Sequence, residues 1–197
     1  MNAPQISSAG LVAWTFRFWR ACVGPVSFWM LFAALGRAIQ MRVFGPVSPP
    51  VFYGLEVLVE LARIVTILAI VGHGSLRQGY RQLARFFRWT KSQWRDIRGT
   101  VGATIRSQWP VLVTNLLFFS LLAFGFNKLN SLIVDQRPVY YGLKDFGLIH
   151  GDATRLPLFF FLKNLTVIPF TLLFEYGLFC WLAGKLPSMG EPVQAGA

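Results

Sequence analysis

Residues 109–127 read WPVLVTNLLFFSLLAFGFN, without one ionisable side chain. Spanning a membrane takes about 20 consecutive apolar residues. This stretch has that length, an aromatic at its start and Pro110 in its first turn. It points to an all-α integral membrane protein. Just before it, residues 77–106 read RQGYRQLARFFRWTKSQWRDIRGTVGATIR, with eight Lys/Arg and one acid, Asp96.

Seven of those basic residues, Arg77, Arg81, Arg85, Arg88, Lys91, Arg95 and Arg98, are spaced three or four apart. A second series, Tyr80, Leu83, Phe87, Thr90, Trp94, Ile97 and Val101, has the same period. The run is therefore expected to be one amphipathic helix with adjoining basic and apolar faces. Gly99 and Gly102 mark where the chain is expected to turn into the membrane.

Composition agrees with the membrane reading. Of the 197 residues only 14% are charged, where a soluble domain carries about 25%. The net charge of +11 would suggest nucleic acid in a soluble protein. No nucleic-acid recognition motif accompanies it, so cationic loops at an anionic leaflet are the better reading. Cys22 and Cys180 both lie in apolar segments, which fits packing rather than a disulfide or metal framework.

About four spans are expected, at 11–36, 51–74, 109–127 and 156–184. Arg17 and Arg20 interrupt the first apolar stretch, so it is a poor signal peptide. Two readings of it are open: one long helix kinked near Pro25, or an interfacial first half and a tilted or re-entrant second. A single span is preferred. The second span carries Glu56, Glu60, Arg63 and His73; the fourth carries Lys163 and Glu175 and is expected to be tilted or kinked at Pro169. Residues 128–155 read as an outer loop in which Leu132–Val134 and Val139–Tyr141 pair as short strands. The tail 187–197 reads as disordered.

Orientation follows from charge. Putting 77–106 on the cytoplasmic side also puts Arg17, Arg20 and Lys185 there, giving eleven basic residues. Six remain outside: Arg37, Arg42, Lys128, Arg137, Lys144 and Arg155. Both termini are then cytoplasmic, and a bacterial inner membrane is the expected location.

Two groups are candidate sites. The basic run, with Trp94, offers a surface for anionic lipid or for a partner. Within the spans, Glu60 and Arg63 share one face of a helix and can pair with each other; depth along the helices also suits a Glu60–Lys163 pair and, less closely, Arg63–Glu175. His150 and Asp152, with Asp145 nearby, form the only enzyme-like group. No phosphate loop, nucleophile elbow or HExxH sequence is present, and no cofactor or metal is implied beyond bound lipid. The expected role is a non-catalytic accessory or scaffolding subunit of a membrane complex, with membrane lipids and other membrane subunits as partners. The alternatives are a small transporter or channel using the intramembrane charges, and a lipid-modifying enzyme.

Overall fold

The computed structural model describes residues 10–186; the polar start and the tail at 187–197 lie outside them. The described residues form seven helices: α1 (Gly10–Gln40), α2 (Pro49–Val71), α3 (Leu76–Phe87), α4 (Lys91–Asp135), α5 (Arg137–Asp145), α6 (Leu156–Leu165) and α7 (Val167–Leu182). Three helical stretches are long and apolar enough to cross a membrane: Gly10–Gln40, Lys91–Asp135 and Leu156–Leu182. α2 has 23 residues, but Glu56, Glu60 and Arg63 set it apart from these three.

α1 is the central rod. It runs unbroken through Pro25 and buries Leu11, Trp14, Phe18 and Cys22 as well as Val26, Met30 and Ala33. Its first half therefore belongs to the bundle and is no separate interfacial helix. α2 returns antiparallel along α1, with Gly36 so close to Val59 that an added Cβ would sit 2.8 Å from Val59 Cγ2. α6 and α7 also pack on α1, and there Gly177 meets the Trp14 ring in the same way, at 2.6 Å. Such small-residue contacts let helix axes approach where lipid tails offer no hydrophobic drive. α4 touches the bundle along a thin seam. There Asn115 Oδ1 accepts the Leu11 N–H, an orphan donor of the first turn of α1, at 3.2 Å. Phe119 stacks on Phe174 at 4.1 Å.

Four expectations need correction. The basic run is not one helix: it divides at residues 88–90 into α3 and the start of α4. Thr90 begins a capping box, its hydroxyl accepting the Gln93 N–H while Gln93 Oε1 accepts the Thr90 N–H at 2.8 Å. The seven-residue basic stripe is therefore shared by two helices. The turn into the apolar stretch is also not at Gly99 or Gly102. α4 passes through both and kinks at Gln108 (φ −126°, ψ 26°), two residues before Pro110.

The final span breaks at Thr166 (φ −118°, ψ −68°), not at Pro169 itself. Proline acts on the turn before it: it cannot donate to Leu165, and its ring crowds that carbonyl. Last, the two expected strands are absent. Leu132–Val134 ends α4 and Val139–Tyr141 lies in α5, with Pro138 near the start of a new helix.

The capping box gives a direct prediction. Thr90→Ala is expected to cost about 1 kcal/mol. The check is a thermal melt beside a Ser substitution, which should retain most of the stability.

Candidate functional site

The charges of the α1–α2 hairpin converge. Arg37 lies in the last turn of α1, and Glu56, Glu60 and Arg63 follow one face of α2 at spacings of four and three. Because the hairpin is antiparallel, Arg37 comes level with Glu56. The guanidinium grips the carboxylate with both nitrogens, at 2.9 and 3.2 Å. Gln40 Nε2 donates to the same carboxylate at 2.9 Å and to the Phe52 carbonyl at 3.0 Å. Arg37 also reaches Glu60 at 3.7 Å, Arg63 bonds Glu60 at 2.6 Å, and Arg63 Nη2 lies 3.5 Å from Asn164 Oδ1 on α6.

The network is neutral but lopsided. The side chains of Arg37 and Arg63 are 17% and 26% exposed, those of Glu56 and Glu60 39% and 50%. The cations face inward and the carboxylates outward. Around them the outer surface of α2 is apolar and exposed: Val57, Leu61, Ile64 and Ile67.

The expected cross-helix pairs do not form. Lys163 and Glu175 make no ion pair with another described residue. Asn164, one position further along α6, is buried and faces Arg63 instead. One residue is about 100° of helix rotation, enough to turn Lys163 away. Sequence reasoning missed Arg37, Gln40 and Glu56 as members of the group. The available signal was their near-symmetric placement about the proline-marked turn.

The basic flank sits at the other end of the hairpin. Arg77, Arg81, Arg85, Arg88, Lys91, Arg95 and Arg98 are all exposed, and none is ion-paired with a described residue. Trp94 is half-buried among neighbouring rings. It packs edge-on against Phe86 at 4.8 Å and Trp89 at 5.4 Å, while Lys185 lies over the Trp89 ring at 4.7 Å. These rings clamp the α3–α4 elbow onto the end of α7. Tyr80 and Phe87 are the aromatics left outward on this flank.

Asp135, the last residue of α4, pairs with Arg155 at 2.7 Å, and in the segment that follows the Tyr140 hydroxyl donates to the Ala153 carbonyl. The Asp152 N–H donates to His150 Nδ1 at 3.3 Å, and the exposed Asp152 carboxylate lies 3.9 Å from the same nitrogen. Asp145 joins neither group. No cluster of three or more His, Cys, Asp or Glu suited to a metal occurs among the described residues. His73 lies at the opposite end of α2, edge-on to Phe18 at 5.1 Å. No family model matches the chain, and no curated protein sequence or solved structure matches it.

Proposed function

We propose that this chain is a non-catalytic accessory subunit that docks within the membrane against a larger assembly. The observation that carries the reading is the half-exposed carboxylate pair on the outer face of α2. Glu60 is eleven residues past Pro49, about 16 Å along a helix about 34 Å long. With α2 as a fourth span, that places a carboxylate near the middle of the bilayer. Even paired with Arg63 and Arg37, a half-exposed carboxylate facing lipid there is costly, and such residues usually face protein. A neighbouring helix that offers hydrogen-bond donors or a cation to Glu56 and Glu60 removes the cost. Both termini then lie on the cytoplasmic side of a bacterial inner membrane, and the basic flank rests on its anionic leaflet.

Mild detergent extraction and native-gel separation test the proposal when paired with Glu60→Gln. The native chain is expected to run in a stoichiometric complex, and the variant to run alone with its helix content intact. A native chain that runs as a solitary small species, or a complex indifferent to Glu60→Gln, overturns it.

A further inference from the structure

At the end of the bundle opposite the basic flank, two recesses flank one backbone contact. The His150 N–H donates to the Val43 carbonyl at 2.8 Å, tying the turn after α1 to the segment before α6. On one side is an apolar cavity of about 280 Å³, lined by Leu35, Ala38, Leu143, Leu148, Leu158 and Phe161 among others, with no charged residue in its wall. On the other is a recess of about 290 Å³ bordered by Arg42, His150, Asp152 and Thr154. The His150 ring lies beside Gly45, within contact distance of where a Cβ would stand, and Gly45 itself takes a left-handed φ of +103° that suits glycine.

Arg42 is the informative residue. Its φ is +67°, a left-handed backbone that glycine or asparagine adopts at less cost. The side chain is exposed and makes no ion pair with a described residue. The turn at Arg42 is the C-terminal cap of α1, with the Val43 N–H donating to the Ala38 carbonyl at 3.2 Å and the Arg42 N–H to the Ile39 carbonyl at 2.8 Å, and it leaves the Arg42 cation exposed at the recess. At the same recess the Asp152 carboxylate, its side chain 98% exposed, lies 3.9 Å from His150 Nδ1.

We propose that this end of the protein holds one phospholipid with a primary-amine headgroup. An acyl chain fills the apolar cavity, Arg42 and His150 take the phosphate, and Asp152 takes the ammonium. The apolar wall suits an acyl chain and could not satisfy the backbone of a peptide. The adjoining cation and carboxylate match the two charges of a zwitterion. Exposed Phe44, Phe146, Leu148 and Leu156 surround the site with apolar surface that a membrane covers.

Native mass spectrometry of the full chain in detergent tests this, with phosphatidylethanolamine and phosphatidylglycerol of identical acyl chains as probes. The chain is expected to retain one phosphatidylethanolamine, about tenfold in preference to phosphatidylglycerol. Arg42→Asn, which keeps a residue tolerant of positive φ, is expected to lower retention of both lipids about tenfold at unchanged helix content. Asp152→Asn should abolish the preference between them. Leu148→Trp, which fills the mouth of the cavity from an exposed position, should displace the lipid without involving any charge. Failure to retain either lipid, a preference for phosphatidylglycerol, or retention unaffected by Arg42→Asn and Leu148→Trp overturns the proposal. Should Arg42→Asn not fold, Leu148→Trp and Asp152→Asn still decide it.

Discussion

Gly79→Ala is expected to lower the melting temperature by about 6–12 °C, corresponding to about 3 kcal/mol in a chain of this size. Gly79 is where α3 folds against the end of α2. A Cβ there would lie 1.9 Å from the Leu68 carbonyl oxygen and 2.7 Å from its carbon. Those are backbone atoms and cannot swing aside. Gly72 faces the same crossing, with Ser75 O 2.0 Å from its would-be Cβ. Helix propensity pulls the other way: alanine in place of a helical glycine gains about 1 kcal/mol. The clash exceeds that gain, so the sign of the result is informative. Gly99 and Gly102 supply the control, because an added Cβ meets nothing within 4 Å at either. Alanine at those positions should raise stability by about 0.5–1 kcal/mol each. Thermal melts of the three alanine variants check both signs. A stabilised Gly79→Ala would mean that α3 does not pack on α2 as described.

The second large effect belongs to Arg37. Arg37→Leu leaves Glu56 without its bidentate partner and Glu60 with Arg63 alone. Removing one member of a buried ion pair costs about 3–5 kcal/mol, and of a water-exposed pair at most about 1 kcal/mol. Arg37 is mostly enclosed but the carboxylates are half exposed, so the medium beyond them decides the size. With lipid or protein outside α2 the expected loss is about 2–3 kcal/mol; with water there it is below about 1 kcal/mol. Adding Glu56→Leu to Arg37→Leu should recover most of the loss, since an apolar pair can replace a buried ion pair at little cost. Unfolding of all four members of this double-mutant cycle in a bilayer-mimicking detergent gives the coupling directly. A small, additive pair of losses would take α2 out of the membrane and remove the basis for a docking face.

What was legible in the sequence depended on distance along the chain. The helical, membrane-type architecture followed from uncharged runs such as Trp109 to Asn127, because apolar length is a one-dimensional property. Local capping was also written there. Thr90 and Gln93 form a T-x-x-Q box, yet the dominant period of three and four drew Thr90 into a continuous apolar seam. Pro138 invites the same error, since a proline between two β-prone triplets resembles a turn while it also suits the first turn of a helix. The charge site was only half legible. Depth along a helix can be counted from residue numbers, which made Lys163 an attractive partner for Glu60. Rotation about the axis cannot be counted across helices whose packing is unknown, and there Asn164 displaced Lys163. The Arg37–Glu56 pair needed the geometry of the intervening turn, which spacing along the chain does not give across the Gly45–Pro46 and Pro49–Pro50 breaks.

The bidentate pairing of Arg37 with Glu56 also bears on how such a chain enters a bilayer during synthesis. α2 taken alone carries three charges and is a poor candidate for independent partitioning into lipid. Its neutralising arginine lies only 19 residues upstream, across one turn. Loop closure over so short a distance is rapid compared with elongation by the ribosome at about 5–20 residues per second. With α2 as a span, α1 and α2 can meet before α4 exists and enter the bilayer together as a helical hairpin. The ion pair would then be a device of biogenesis, acting at the moment when the emerging segment must choose between water and lipid.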